Sequence, residues 1–187
     1  MSLAENVNAA WSPATRDLLE QLAARQRDER RRAQPVAMIG PRDADARQKE
    51  SAYRIARSLA QAGVPLLCGG KNGGMEAAAR GAQDGGGIVV GLLPEADTSG
   101  ANPYLTVAIP TGMGITRNSL IAHGAVCLVA VGGGLGTLSE IALGAQLGKP
   151  VFAMLNAPKV AGVQYFDEAE DLVVGVARCL LSVQPTD

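Results

Sequence analysis

The sequence predicts an α/β protein: a doubly wound, mostly parallel sheet of about six or seven strands with helices on both faces. Three observations predict it. From Val36 onward, short runs rich in Val, Ile and Leu alternate with stretches of helical periodicity. The runs are apolar on both of their faces, as strands covered from two sides must be. The junctions from strand to helix are rich in glycine, and open α/β sheets bind ligands at such carboxyl ends.

Taken in order, residues 1–34 read as an N-terminal helical extension and residues 35–187 as a single domain. In the extension, Leu18, Leu19, Leu22 and Ala23 fall at helical spacing, and the stretch ends in an Arg-rich run from Arg25 to Arg32. Asp28 and Glu29 interrupt the arginines, which favours a solvated helix end over a patch for a phosphate-rich partner. An appended helix of this kind is expected to dock on the body or on a second subunit. Buried strands are expected at Val36–Gly40, Pro65–Gly70, Gly87–Pro94, Leu105–Pro110, Val126–Gly132 and Pro150–Leu155. Helices are expected at Ala46–Ala62, Gly74–Asp84, Ile115–His123 and Thr137–Leu147, with a last one after Asp167. In that last helix Leu172, Val176 and Leu180, beside Val173, Ala177 and Leu181, make a wide apolar stripe that must pack on the sheet. Strand–helix alternation implies right-handed crossovers and parallel pairing.

Composition narrows the function. The 187 residues carry 17 Lys and Arg against 18 Asp and Glu, a formal net charge of −1, so no global electrostatic case exists for nucleic acid or an anionic membrane. Aromatic residues are 3% of the chain, which argues against a base-stacking RNA reader. No apolar run approaches the ~18 residues of a membrane span, and the opening lacks a signal-peptide pattern, so a cytoplasmic location is expected. Cys68, Cys127 and Cys179 lie far apart in sequence and His123 is the only histidine, so neither a disulfide framework nor a zinc site is expected. Cys68 and Cys127 read as small buried hydrophobes and His123 as a capping or packing residue. Lys71 and Lys149 read as solvated turn residues.

Three turns carry the chemistry. Cys68 to Met75 joins a strand to a helix through Gly69, Gly70, Gly73 and Gly74. Val131 to Thr137 does the same through Gly132, Gly133, Gly134 and Gly136. Between them, Pro110 to Asn118 brings Arg117 into the first turn of a helix. Glycines at such turns let N–H groups approach a ligand, and a helix N-terminus adds partial positive charge, so the two clusters together suggest a phosphate cradle. Taken singly, either cluster is explained as well by the need for a tight turn. Known nucleotide fingerprints do not fit: Gly70-Lys71-Asn72 lacks Walker A spacing, and Gly134-Leu-Gly136-Thr-Leu-Ser139 fails the third position of the dinucleotide motif. Glu140 follows Thr137 by three residues. A capping box would account for it, and a polar ligand ring near the loop would account for it equally. Arg117 at a helix start opposes the macrodipole unless an anion is present, and its guanidinium suits a phosphate.

Gly69-Gly-x-x-Gly-Gly-Met75, the Ala82 to Pro94 pattern Ala-x-x-x-Gly-Gly-x-x-x-Gly-x-x-Pro, Arg117-Asn118 and Gly132-Gly-Gly-x-Gly-Thr-x-x-Glu140 together resemble the LOG superfamily, once described as lysine decarboxylases. The resemblance spans about residues 36–181. Ala101-Asn-Pro-Tyr104, the Val131-Gly132 opening and Glu140-Ile-Ala-Leu143 are most similar to the molybdenum cofactor carrier branch. It implies a Rossmann-like body with a pterin phosphate, as in the molybdenum cofactor, in the cradle, and a homo-oligomer (dimer or tetramer). The ligand-binding residues it implies are Gly69, Gly70, Gly73, Gly74, Met75, Arg117, Asn118, Gly132, Gly133, Gly134, Gly136 and Thr137.

In the LOG enzymes a Pro-Gly-Gly-x-Gly-Thr-x-x-Glu motif and an Arg-Lys pair hydrolyse nucleoside 5′-monophosphates to free base and ribose 5-phosphate. Carried over, Arg117 and Glu140 would be the catalytic pair. Here Gly132 replaces the proline and Asn118 the lysine, while carriers also keep the Arg and the Glu. A lysine decarboxylase is not expected, since no Lys sits in a pyridoxal phosphate context. The expected function is therefore a phosphate-anchoring pterin- or nucleotide-binding carrier that needs no further cofactor or metal, with the phosphoribohydrolase as the alternative. A third class is a nucleotide sensor that signals through the N-terminal helix. The segment Glu95–Tyr104 has the composition of a lid. Glu95 and Asp97 are the carboxylates that could close over the pocket, and Tyr104 could stack on a ring.

Overall fold

The computed structural model describes residues 11–28 and 32–182, so Glu29, Arg30 and Arg31 of the Arg-rich run lie outside the described residues. Seven strands form one parallel sheet: β1 (Val36–Ile39), β2 (Leu66–Cys68), β3 (Val89–Leu93), β4 (Val107–Pro110), β5 (Leu128–Val131), β6 (Val151–Met154) and β7 (Gln164–Phe166). Their order is β4-β3-β2-β1-β5-β6-β7, and every adjacent pair is parallel. The helices are α1 (Pro13–Gln26), α2 (Ala46–Gln61), α3 (Gly74–Asp84), α4 (Asn118–Gly124), α5 (Leu135–Gln146) and α6 (Ala169–Ser182), with a 3₁₀ turn at Gly114–Arg117 before α4.

The central strands β1, β2, β5 and β6 are buried at every position, which is why they read as continuous apolar runs. Their alternate residues divide between two cores. Val36, Met38, Leu66, Cys68, Val129 and Phe152 face α1, α2, α3 and α6. Ala37, Ile39, Leu67, Leu128 and Ala153 face α4 and α5 through Ile121, Ala122 and Ile141. The apolar stripe of α6 is covered as its spacing requires: Leu172, Val173, Val176, Ala177 and Leu180 are all fully buried. The short edge strand β7, half exposed and without an apolar run, carries no signal in the sequence.

Helix α1 docks on the body, through α6 and α2. Ser12 caps it, accepting from the Thr15 amide, and Glu170 Oε1 accepts both the Ser12 amide (2.9 Å) and the Thr15 hydroxyl (2.6 Å). The buried Trp11 donates its indole N–H to Ser58 Oγ at 2.8 Å under the Arg54 guanidinium. Arg25, the first arginine of the run, donates to the Leu181 carbonyl at 2.7 Å. Burial of Leu19 and Leu22 completes the attachment.

Two expectations about turns need correction. Lys71 is tied down: its side chain is 13% exposed and pairs with Glu95 at 2.7 Å. Lys149 donates to the carbonyls of His123 and Ala125, closing the end of α4 as a cation at a helix C-terminus should. Cys68 and Cys127 are buried in the core, as a small-hydrophobe role requires, and burial pushes the Cys68 thiol up to about 11.

Candidate functional site

The sheet order reverses at β1. Chain segments leave β1 toward β2, β3 and β4 on one side, then return to β5 on the other, so the loops after β1 and β5 diverge and leave a crevice. A cavity of about 460 Å³ lies there, well within the range of small-molecule sites. Its walls are the Gly40–Asp43 turn after β1, Met75 of α3, Pro94 after β3, Gly114 to Asn118, and the first turns of α5 through Gly134, Gly136, Thr137 and Glu140. Of the residues singled out in the sequence, the fold thus brings Met75, Arg117, Asn118, Gly134, Gly136, Thr137 and Glu140 onto one cavity. Gly69, Gly70, Gly73, Gly74, Gly132 and Gly133 are not among its walls.

Arg117 and Glu140 dominate its electrostatics. Their side chains are 7% and 8% exposed, and Nη1 lies 3.8 Å from Oε1, an ion pair without a hydrogen bond. Nε and Nη1 of Arg117 are buried without a hydrogen-bond partner. Burial pushes Glu140 up to about 7, with Arg117 pulling the other way, and burial also lowers the Arg117 pKa, an effect Glu140 opposes. A buried guanidinium with two unused donors is costly unless something supplies acceptors.

The two glycine clusters are built differently. At Cys68–Met75 the space is occupied by protein. A Cβ on Gly69 would stand 2.6 Å from Arg117 Nη1, so glycine leaves the room in which the guanidinium lies. Gly73, at φ +74°, lies against the Arg42 carbonyl so closely that any side chain would collide with backbone. The Gly74 amide is already used by the Pro41 carbonyl at 3.0 Å. At the N-terminus of α5, by contrast, nothing lies within 4 Å of a Cβ built on Gly134 or Gly136, and Gly134, the N-cap residue, brings no side chain to the orphan amides of the first turn.

The expected capping box does not form. α5 begins at Leu135, two residues before the expected start, so Thr137 is already inside the helix and cannot cap it. Glu140 is then held as a cavity wall. The helix after Pro110 also starts differently: a 3₁₀ turn runs over Gly114–Arg117, and Arg117 is the residue before α4 rather than within its first turn. Asn118 turns its amide inward, donating to Ser139 Oγ at 2.8 Å and to the Gly136 carbonyl at 3.4 Å. That fastens α4 to the first turn of α5.

The segment Glu95–Tyr104 is strapped down rather than poised as a lid. The Asn102 amide donates to the Gly70 carbonyl at 2.9 Å, its Nδ2 donates to the Lys71 carbonyl, and Lys71 holds Glu95, whose pKa that contact lowers. Tyr104 faces a separate cavity of about 360 Å³ between α2 and α3, with Tyr53 and Arg80. Arg42 and Asp43, in contrast, line the main cavity without having been singled out, because nothing in the Pro41-Arg-Asp43 stretch resembles a motif. Among the described residues no cluster of three or more His, Cys, Asp or Glu could hold a metal, and no helix is long and apolar enough to cross a membrane.

A model of the SLOG cluster4 family matches residues 33–178. An uncharacterized protein of Archaeoglobus fulgidus is 37% identical over 138 residues, which cover 74% of this chain and 91% of that one. Among solved structures, the molybdenum cofactor binding protein of Rippkaea orientalis aligns with a TM-score of 0.74 and 28% identity, covering 81% of this chain and 99% of that one. The molybdenum cofactor carrier protein of Chlamydomonas reinhardtii aligns with a TM-score of 0.73 and 28% identity, covering 81% of this chain and all of that one. Both share the Rossmann-like α/β fold described above.

Proposed function

Because the chain belongs to the SLOG cluster4 family, we propose that its cavity binds a small phosphate-bearing heterocycle, a pterin phosphate such as the molybdenum cofactor or a nucleoside monophosphate, and that the protein is a carrier. The observation that carries this reading is the buried Arg117 guanidinium, whose Nε and Nη1 lack hydrogen-bond partners beside the uncapped first turn of α5. An anion placed there takes up both sets of donors at once. Met75, Pro94 and Ile115 supply apolar walls for a flat ring. The molybdenum neighbours favour the pterin, and a molybdenum ion would arrive as cargo on the pterin, needing no ligand from the protein.

One observation favours the second reading, a phosphoribohydrolase. A carboxyl near 7 is suited to proton transfer at neutral pH, and Asp43 places a second carboxylate on the same cavity. Glycosidic hydrolysis requires a placed water and help for the departing base, the two tasks these carboxyls would have to share.

Freshly purified protein analysed by native mass spectrometry, then incubated with AMP and assayed for adenine, separates the two. A co-purified pterin without adenine release supports the carrier. Adenine release that disappears in Glu140→Gln replaces it with the hydrolase.

In this reading the protein assembles as a dimer or tetramer. Val107 and Ile109 of the edge strand β4 are exposed, as are Met113 and Leu120, and offer apolar surface for a second copy to cover. The N-terminal extension then serves as a buttress of α6, not as a signalling arm. Light scattering on the full chain tests the assembly.

A further inference from the structure

Within the reading just given, on which this inference rests, we propose that Arg42 is the second cation of the pocket and confers a preference for terminal phosphate monoesters, which carry two charges, over singly charged esters. Asn118, next to Arg117 in the chain, carries no charge, and its side-chain amide is spent on Ser139 and Gly136. A single guanidinium and one helix N-terminus would then face a dianion. Arg42 supplies the missing charge from a different loop.

Its placement supports this role. Arg42 lines the same cavity as Arg117, and its like charge is felt by Arg117 and opposes the latter's protonation. The side chain is exposed and makes no hydrogen bond or ion pair with the described residues, so it is free to turn onto an incoming phosphate. Its backbone, however, is fixed: the Pro41 carbonyl accepts from the Gly74 amide and the Arg42 carbonyl packs on Gly73. The first glycine cluster thus acts on the ligand at one remove, by setting where Arg42 begins. Arg42 and Arg117 share the cavity walls with the acids Asp43 and Glu140, and Glu95, the nearby acid that Arg42 also influences, is already held by Lys71. The planar fork of a guanidinium suits the three free oxygens of a monoester.

The test is calorimetric titration of the full chain near pH 7.5 with AMP, with a pterin bearing a side-chain phosphate, with the methyl ester of AMP and with adenosine. At that pH the monoesters are close to dianionic and the methyl ester carries one charge. The wild-type chain is expected to favour a monoester over the methyl ester by tenfold or more, and the stronger of AMP and the pterin phosphate identifies the source of the phosphate. Arg42→Gln is expected to erase most of that ratio while changing methyl ester and adenosine binding by less than about threefold, and Arg42→Lys to restore part of it. An unchanged ratio in Arg42→Gln, or equal weakening of monoester and methyl ester, overturns the role of Arg42 alone. A wild-type chain that binds neither monoester overturns the pocket itself, and Arg42 with it. The exposed side chain makes misfolding of these variants easy to recognise by an altered thermal midpoint.

Discussion

The turns at Cys68–Met75 and Val131–Thr137 look alike in sequence, each a strand end followed by four glycines and a helix, yet only the second leaves part of the glycine space open, at Gly134 and Gly136, while Gln48 and Thr137 fill it at Gly132 and Gly133. In the first, protein fills it: the Arg117 guanidinium lies on Gly69 and the Arg42 carbonyl on Gly73. In the second, the space around Gly134 and Gly136 stays empty. A glycine-rich turn therefore reports that something approaches the backbone closely, and only the fold decides whether that is another part of the chain or a ligand. The difference follows from topology. The β2 turn lies beside the loop from β1, which crosses it, whereas the β5 turn opens onto the crevice where the strand order reverses.

The largest effects test this contrast directly. Gly73→Ala sets a methyl against the Arg42 carbonyl at a positive φ, with no flexible atom to yield, and is expected to destabilise the fold by about 3 kcal/mol or more, read from a urea midpoint. Gly134→Val meets open space at a φ of −126°, which any residue adopts. It is expected to change stability by less than about 1 kcal/mol and to weaken AMP or pterin phosphate binding at least ~100-fold in the same titration. If Gly73→Ala folds normally, or Gly134→Val binds as before, the distinction between the two turns fails.

Glu140 gives a comparable effect that depends on pH. Its pKa in the folded chain, about 7, lies above the ordinary value near 4.5, so the folded state holds a proton that the unfolded state releases. Stability from this group is present below about pH 4.5 and is lost as pH rises toward 7, beyond which it stays lost. Glu140→Gln removes the penalty. It is expected to raise the stability of the unliganded protein by up to ~3 kcal/mol at pH 8 and to have almost no effect near pH 4. Urea midpoints at the two pH values check this, and equal shifts at both would show that the carboxyl does not titrate in this way.

Much of the fold is legible because its central strands are buried on both faces and so announce themselves as apolar runs. The helix at Gly74–Asp84 appears with its expected limits, and the stripe of α6 is buried except at its end, where Leu181 is partly exposed. What cannot be read has identifiable causes. β7 is a half-exposed edge of three residues, without alternation. The Thr137–Glu140 spacing suits a cap, but a helix start is fixed by where backbone bonds begin, and the Leu138 amide bonds back to the Gly134 carbonyl. Arg42 and Asp43 reach the cavity because β1 and β5 are neighbours in the sheet though about ninety positions apart in the chain, and spacing along a sequence carries no such distance. Tyr104, chosen for its aromatic ring, is carried by its loop to the opposite side of α3.

The smallest expected effect separates positioning from contact. Asn118 lines the cavity, but its Nδ2 is directed at Ser139 and Gly136, so the role proposed for it is to hold the first turn of α5 in place. Asn118→Ala removes two hydrogen bonds from a partly buried site. Ser139 keeps its own bond to the Gly136 carbonyl at 2.7 Å, so no group is stranded, and a loss of about 1 kcal/mol is expected in the urea midpoint. AMP affinity should fall less than about threefold, since the first-turn amides stay within their helix. A loss approaching that of Gly134→Val would mean that the amide touches the phosphate itself. Asn118 would then be a direct ligand of the phosphate rather than a positioning residue.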